Sequence, residues 1–283
     1  MTHSACTSAS AEHTKAQNRL RRAIVAPLLL ALALTLAGCG LLKDRSATEL
    51  TIGDAAQIDV EDLVKYEELR QLDVRGAIIT ADDYLALQRA LPNCRILWSV
   101  PIMGQRYDNQ VTQLTLPAGT DAASLELLRY FPNLKTVDAL SCDCYDALMS
   151  KSLERKDIAF VWQVELGGVT VRNTDTALDL SGKDVDAQTL MSKLYYLPAL
   201  TAADVTNTDL GEEDGAALEA RYPSIRFLRT LDIFGVKANT DATALDLTAA
   251  SITDGMLLLD KLAPLSKLER CDLTGRTVRS SAV

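Results

Sequence analysis

The chain has 283 residues, 48% hydrophobic and 24% charged, which is typical of a globular protein with one or two domains. Its formal net charge of −9 argues against nucleic acid as a partner. Both histidines, His3 and His13, lie near the N-terminus. A chain that loses this segment has no imidazole for a His-based triad, a His general base or most zinc and copper sites.

Residues 1–38 have the pattern of a secretory signal peptide. A basic segment over 15–22 precedes an apolar run over 23–36, which is too short to span a bilayer comfortably. The run ends in the letters LAGC at Cys39, which resemble a bacterial lipobox. That resemblance implies cleavage before Cys39 and acylation of its thiol. The alternatives are an ordinary signal peptide followed by an accidental cysteine, or a start codon placed too early, since the basic segment begins late.

Acylation of Cys39 would anchor the protein in the lipid bilayer on the extracytoplasmic face of the cell membrane. More than one acyl chain gives lasting attachment, whereas a single chain is marginal. Residues 39–47 would then be the lipidated cysteine and a short tether. Loss of four basic residues and Glu12 leaves 25 basic and 37 acidic residues, a net charge of −12. Acylation, and not a basic patch, is therefore expected to hold the chain at the membrane.

A short strand-like motif recurs from residue 48 onward. Its central leucines are spaced 64, 64 and 67 residues apart, at Leu50, Leu114, Leu178 and Leu245. A fixed period of this kind predicts one structural repeat stacked on copies of itself. We place a single domain over 48–283, with repeats at about 48–110, 111–174, 175–240 and 241–278.

A second short strand is predicted later in each repeat. Its fullest copy, LRQLDVRGAII over 69–79, resembles the leucine-rich-repeat consensus LxxLxLxxNxL without its asparagine. The same spacing begins at Leu134, Leu200 and Leu268. The chain is similar to bacterial leucine-rich-repeat lipoproteins over 48–278, which implies an α/β solenoid.

Amphipathic helices are predicted between the strands. Asp186 is placed to cap a helix whose apolar positions begin at Leu190, and Thr80 and Asp83 have the spacing of a capping box. Strand and helix alternate along the chain. This order predicts a curved, mainly parallel sheet with helices on its outer side.

Each of the first three repeats is predicted to close with a longer strand and a β-hairpin. Glycine supplies the turn conformation. The longer strands begin at Ile96, Phe160 and Phe227, and the turns lie at Gly104, Gly168 and Gly235. The fourth repeat stops after its second strand.

Aspartates occupy the strand position that faces the concave side of a leucine-rich repeat. They are Asp73, Asp138, Asp179, Asp204, Asp246 and Asp272. Such a ridge of carboxylates could attract a cationic peptide, a Lys-rich partner or a divalent cation. The alternative is a solvated polar face. No segment supplies the tight ligand loop of a calcium site, so we predict no metal and no cofactor.

Trp98 and Trp162 allow two interpretations. Aligned with the repeat strand, they would stand on the concave face, suited to stacking on sugars or peptides. The apolar alternation around them predicts instead that they face the core, which we favour. Arg229 takes the equivalent place in the third repeat and keeps the exposed alternative open, because a buried arginine needs a partner. The candidate ligand-binding residues are therefore Asp138, Asp179, Asp204, Asp246, Trp98, Trp162 and Arg229.

The four later cysteines are Cys94, Cys142, Cys144 and Cys271. An extracytoplasmic location permits a disulfide, but Cys142 and Cys144 are separated by one residue, which strains a bridge. Buried structural thiols are the prediction.

The expected function is that of a non-enzymatic, membrane-anchored module that binds an extracytoplasmic protein, peptide or surface polymer. One alternative is a carboxylate-based glycan hydrolase, which needs two carboxyl groups about 5 to 9.5 Å apart with one in a dry pocket. Another is a structural spacer subunit of an envelope assembly.

Overall fold

The computed structural model describes residues 45–54 and 56–277. Cys39, the segment expected to be a signal peptide and the residues after Thr277 lie outside this part. Within it the chain is α/β, with seven α-helices and seventeen strands in seven small sheets. No helix among the described residues has the length and apolar character needed to cross a membrane.

The described chain forms two compact units. The first contains the residues up to Val111 together with Tyr130–Pro132, and the second contains Thr112–Arg129 and the residues from Asn133 onward. The division at Val111 lies beside the boundary expected between the first and second repeats.

The first compact unit contains the first repeat. Its elements are β1 (Glu49–Thr51), α1 (Val60–Leu63), β2 (Gln71–Asp73), α2 (Ala81–Ala90), β3 (Arg95–Leu97), β4 (Ser99–Ile102) and β5 (Gln105–Asp108). The strands β1, β2 and β3 are parallel, with Leu50, Leu72 and Ile96 side by side in register. The predicted capping box of Thr80 and Asp83 begins α2 and is confirmed.

The second compact unit contains the other three repeats, apart from Tyr130–Pro132. The second repeat has β6 (Gln113–Thr115), α3 (Ala122–Leu125), a 3-10 helix (Glu126–Tyr130), β7 (Thr136–Asp138), α4 (Tyr145–Glu154), β8 (Ala159–Val161), β9 (Gln163–Leu166) and β10 (Val169–Arg172). The third has β11 (Ala177–Asp179), α5 (Ala187–Lys193), a 3-10 helix (Leu194–Tyr196), β12 (Ala202–Asp204), α6 (Glu212–Arg221), β13 (Arg226–Leu228), β14 (Thr230–Ile233) and β15 (Val236–Asn239). The fourth has β16 (Ala244–Asp246), α7 (Gly255–Leu262) and β17 (Arg270–Asp272). Asp186 caps α5 by accepting from Thr189 N–H, as predicted.

The anchor leucines occupy matching buried places. Leu50, Leu114, Leu178 and Leu245 each sit at the centre of the first strand of a repeat, with a relative exposure of 7% or less. Exposed residues flank each of them, because successive strand side chains point to opposite faces. The predicted strand pattern of the repeat is confirmed at these positions.

The predicted hairpins are present in the first three repeats. The pairs β4–β5, β9–β10 and β14–β15 are antiparallel and are joined by two-residue turns. Both turn residues have positive φ in every case, for example 53° and 73° at Gly167 and Gly168. That combination defines a type I′ turn, whose twist matches that of the flanking strands.

The longer strand expected before each turn is in fact two strands. It divides at Trp98, Trp162 and Arg229, where the chain leaves the parallel sheet and enters the hairpin. One curved, mainly parallel sheet is therefore not what the described residues form. They form four small parallel sheets and three antiparallel hairpins.

A polar side chain holds each division in place, and in the first two repeats it is a buried asparagine. The Asn173 side chain accepts from Trp162 N–H and donates to the Phe160 carbonyl, at 3.0 and 2.9 Å. Its own N–H donates to the Trp162 carbonyl. Asn109 makes the same contacts in the first repeat, and Thr240 uses its hydroxyl in the third. These bonds satisfy main-chain groups that the break in the ladder would otherwise bury unpaired.

Candidate functional site

Each aspartate of the predicted ridge ends its strand in an Asx turn. The Oδ1 atom of every one accepts from the N–H two residues further along, at 2.9 to 3.1 Å. The pattern Asp-x-Ser/Thr in the last four copies adds a hydroxyl beside this N–H. Aspartate favours such turns because its short side chain reaches its own backbone two residues on. The carboxylates therefore have a local structural role.

These bonds lower the carboxyl pKa values of Asp73, Asp179, Asp246 and Asp272. The Ser181 hydroxyl and N–H lower the pKa of Asp179, and the Thr274 hydroxyl and N–H lower that of Asp272. The pKa of Asp73 is lowered chiefly by its side-chain bond to Arg75, whose guanidinium also holds Asp108 at 2.8 Å. Donors that stabilise the charged form favour ionisation.

Within the second compact unit the strand registers pair some of these aspartates and interrupt their series. Asp179 is in register with Asp204, and Asp246 is in register with Asp272. The third strand of each complete repeat carries an apolar residue at this position, at Leu97, Val161 and Leu228. In the described part of the chain, no group of three or more acidic, Cys or His side chains is arranged to hold a metal ion.

Trp98 and Trp162 are buried, with exposures of 2% and 1%. The favoured prediction that both face the core is confirmed, and their assignment as ligand-stacking residues is wrong, because the apolar alternation and not the repeat alignment decides which face they occupy. Trp98 stacks on Tyr84 with ring centroids 4.7 Å apart. The Nε1 of Trp162 donates to the Tyr196 carbonyl at 2.9 Å, so its polar atom is satisfied inside the core.

Arg229 is also buried, with an exposure of 7%, and the partner that such an arginine needs is Glu219 on α6. The Nε and Nη2 atoms donate to the two carboxylate oxygens at 2.9 and 3.1 Å. Gly215, one helical turn before Glu219, leaves room for the guanidinium. Arg229 therefore joins the hairpin to the helix and is not available to a ligand.

A pocket of about 360 Å³ lies in the second compact unit, within the second repeat. Polar side chains make up most of its lining, and they include Ser141, Asp143, Tyr145, Gln163, Glu165 and Thr170. None of the residues that line it is basic. This concave polar pocket is the candidate functional site.

Two segments bring the pocket residues together. The turn after β7, which begins with the Asx turn of Asp138, carries Ser141 and Asp143 and leads into α4 at Tyr145. Gln163 and Glu165 share the outward face of β9, because Val164 between them is buried. Thr170 on β10 stands opposite Glu165 in the hairpin. The hairpin thus supplies one wall and the β7 turn the other.

The pocket has a negative electrostatic character. Asp143 and Glu165 are both exposed. The pKa of the Tyr145 phenol is raised, first by burial and then by the charges of Asp143 and Glu165. Lys193 lies nearby, where its Nζ donates to the main-chain oxygen of Glu165 at 2.8 Å. A cationic group entering the pocket would meet two carboxylates and an aromatic ring.

A strip of three tyrosines continues from the pocket. The rings of Tyr145 and Tyr196 lie 5.1 Å apart, and those of Tyr195 and Tyr196 lie 5.4 Å apart. The Tyr196 hydroxyl donates to Asp146 at 2.9 Å, which fixes the middle ring. Tyr195 is 52% exposed. These residues were missed because the strip joins segments about fifty positions apart, and only the adjacent pair at 195–196 was a signal.

The four described cysteines are free thiols. Cys142 is buried, and Cys94, Cys144 and Cys271 are half-buried. Burial raises the pKa of Cys94 to about 11 and raises that of Cys142, so both resist forming the reactive thiolate.

No protein-family model matches this chain, and a comparison with curated proteins finds no match.

Proposed function

We propose that this chain is a lipid-anchored, extracytoplasmic binding module without catalytic activity, whose pocket accepts a cationic side chain of a protein or peptide. One observation carries the proposal. Asp143 and Glu165 converge with Tyr145 on a single concave site whose lining holds no basic residue. Two carboxylates and an aromatic face together suit an ammonium or guanidinium group.

The anchor is part of the same proposal. The lipobox-like motif at Cys39 would attach the chain to the membrane, and the short tether would keep the pocket close to the bilayer. Within the second compact unit we also propose that the repeats stack as a leucine-rich-repeat-like solenoid with helices along one side. Contacts of α5 with β9 and of α7 with β14 support this, because each joins successive repeats.

The pocket favours binding over glycan hydrolysis. A hydrolase needs one carboxyl group in a dry environment, where it stays protonated as the acid. Asp143 and Glu165 are both exposed to solvent. The aspartates of the strands are already engaged as Asx-turn acceptors. A purely structural spacer, in turn, has no need of a concave site that concentrates charge.

A second candidate ligand is a sugar polymer of the cell surface. The exposed ring of Tyr195, placed next to Tyr196 and Tyr145, favours it. Tyrosine rings provide stacking surface for sugar faces and a hydroxyl for hydrogen bonds. A neutral glycan does not respond to the charge of the pocket, whereas a cationic peptide does. Substitutions that change this charge therefore separate the two ligands.

Binding of a lysine-rich peptide to the full chain in detergent micelles tests the proposal. Glu165→Gln and Asp143→Asn should each weaken the affinity by about fivefold, equivalent to about 1 kcal/mol. Isothermal calorimetry is the measurement, with Glu213→Gln, an exposed carboxylate on α6 outside the pocket, as the matched control. Acetylation of the peptide lysines removes their charge and should abolish binding.

Equal losses in the Glu213→Gln control would show that only net charge attracts the peptide and would refute the pocket. Retention of binding by the acetylated peptide would refute a cationic ligand. In the glycan arm, a soluble wall polysaccharide should bind more weakly after Tyr195→Ala and unchanged after Glu165→Gln. That pattern, without peptide binding, would replace the first candidate by the second.

A further inference from the structure

The last repeat is open where the others are closed. In the three complete repeats the middle strand, β2, β7 or β12, is paired along both edges by parallel neighbours. The equivalent strand β17 pairs with β16 along one edge. Within residues 45–277, no strand covers its other edge. An unpaired strand edge offers a row of main-chain donors and acceptors to another strand.

The apolar residues of this end are less buried than their counterparts. Cys271 is half-buried, whereas Leu72, Val137 and Ala203 at the same strand position are at most 3% exposed. Leu268 and Leu273 are likewise half-buried, and each of their counterparts in the other repeats is buried. The core of the fourth repeat therefore continues to a surface that the other repeats cover.

Within the described residues, the helix α7 also lacks the neighbouring helix that its counterparts contact. In the complete repeats the first helix contacts a second one, as α5 contacts α6. Three large apolar side chains of α7 are exposed, namely Met256 at 57%, Leu257 at 46% and Leu259 at 62%. Leu259 corresponds to Met191, whose carbonyl accepts from the Tyr222 hydroxyl at the end of α6. The exposed face of α7 is thus the one that a neighbouring helix covers elsewhere.

The third repeat shows which main-chain groups of β17 point at the open edge. There, the Thr201 carbonyl accepts from Arg226 N–H, and Val205 N–H donates to the Leu228 carbonyl, so these groups point at the third strand. Their equivalents in β17 are the Glu269 carbonyl and the Leu273 N–H. Alternate residues of a strand direct their main-chain groups to the same edge. The N–H and the carbonyl of Cys271 therefore both point at the open edge.

We propose that a second copy of this chain covers the open end, with the two β17 strands antiparallel about a two-fold axis at Cys271. Such a contact is isologous, because both copies use the same surface. The register places Arg270 of each copy opposite Asp272 of the other, so both charges find a partner. Cys271 of each copy exchanges two hydrogen bonds with its counterpart, and the α7 leucines approach one another beside the strands.

The order of the charged residues along β17 favours a second copy of this chain over an unrelated strand as the partner. Arg270 and Asp272 are both exposed and stand on either side of Cys271, so the segment is complementary to its own antiparallel image. A parallel arrangement would not pair these charges symmetrically. The residues after Thr277 are the other possible occupant of the edge, and the experiment below distinguishes them.

Sedimentation of the full chain in detergent micelles, from about 1 to about 100 µM, measures the dimer dissociation constant. The wild type should dimerise. Arg270→Glu should raise the dissociation constant at least about tenfold, because two attractive pairs become repulsive. Arg226→Glu is the matched control, since Arg226 is an exposed arginine on β13 of the same compact unit. Circular dichroism should show both variants folded.

Cysteine cross-linking reports the register. A short bismaleimide, to which each thiol adds across a maleimide double bond, should join two wild-type chains. The cross-linked dimer should be lost in Cys271→Ala and retained in Cys144→Ala. In the hydrogen-bonded pair of an antiparallel ladder the two Cα atoms are about 5.5 Å apart, which keeps the thiols within reach of such a linker.

A wild type that stays monomeric over this range overturns the proposal. So does a dimer that Arg226→Glu weakens as much as Arg270→Glu. A dimer that forms only after deletion of residues 278–283 overturns it too, because those residues then cover the edge. Peptide affinity of the pocket should be the same in Arg270→Glu and wild type, so failure of the dimer is distinguishable from failure of the pocket.

Discussion

The second and third repeats reach the same backbone break with different chemistry. At Trp162 an apolar ring fills the core, and the Asn173 side chain satisfies the main chain with two hydrogen bonds. At Arg229 a buried cation takes the place of the ring, with Glu219 as its partner and Thr240 in place of the asparagine. The break therefore needs a filled volume and satisfied main-chain groups, and either an aromatic ring or an ion pair can fill that volume.

Removing the ring should have the largest effect. Trp162→Ala is expected to lower the free energy of unfolding by about 3 to 5 kcal/mol, because a large buried side chain leaves a cavity. Urea denaturation followed by circular dichroism measures it. The matched substitution Tyr195→Ala removes an aromatic ring from the surface and should cost less than about 1 kcal/mol. Equal costs would contradict the burial of Trp162.

The asparagine should matter more than the threonine that replaces it. Asn173→Ala removes both side-chain bonds and is expected to cost about 2 to 4 kcal/mol, since buried main-chain groups lose their partners. Thr240→Ala should cost about 1 to 2 kcal/mol, because one of its two bonds is already 3.5 Å long. The same urea titration compares them. A larger loss for Thr240→Ala would show that the two breaks are not equivalent.

The ion pair can be tested through the glycine beneath it. A Cβ added at Gly215 would overlap the Arg229 guanidinium and lie 2.7 Å from its Cδ. Gly215→Ala should therefore destabilise by about 1 to 3 kcal/mol, although alanine is the better helix former. The cost should shrink in an Arg229→Ala background, where the obstacle is gone. An unchanged cost in that double-mutant cycle would mean that the guanidinium lies elsewhere.

The aspartates, which both repeats share, should give the smallest effect and one that depends on pH. The folded-state pKa values of Asp179 and Asp272 are lowered by their Ser181 and Thr274 partners. Their contribution is therefore complete above the unfolded pKa of about 3.9 and is lost as the pH falls through the lower folded value. Asp179→Asn keeps the acceptor without the charge. Its melting temperature should converge with that of wild type between about pH 4 and pH 2.

A constant melting-temperature difference over that range would contradict the Asx-turn role of the Asp179 charge. The control is Asp175→Asn, whose carboxylate accepts from Arg172 N–H in the loop before β11 and stands outside the strand-end series.

The sequence predicted what local patterns determine. The cap of Asp186 and the hairpin turn at Gly168 each depend on residues a few positions apart, and the anchor leucines are marked by a short motif that repeats at a nearly fixed period. The break at Trp162 was not predicted, because it depends on Asn173 eleven residues later, across a hairpin. The spacing was nevertheless visible, since Asn109, Asn173 and Thr240 each stand five residues before an anchor leucine.

The candidate site was predicted less well than the fold. The aspartates were assigned to a ligand surface because strand alignment gives the face of a residue and says nothing of its hydrogen bonds. The motif Asp-x-Ser/Thr, as at Asp179, was the unused signal for an Asx turn. The pocket is formed by the β7 turn and by a hairpin about twenty residues later in the chain. No local sequence pattern therefore indicates that Glu165 and Tyr145 line the same pocket.

The hairpin fixes the length of one part of each repeat and leaves the helical part free to vary. From Trp98, Trp162 and Arg229 the next anchor leucine always follows after sixteen residues, so the longer spacing of the third repeat arises entirely in its helical connections. Insertions are thus tolerated on the helical side, whereas the stretch from break to anchor behaves as a fixed-length joint. A whole repeat cut at two such joints keeps the spacing from break to anchor, so repeats can be added or removed at constant joint length.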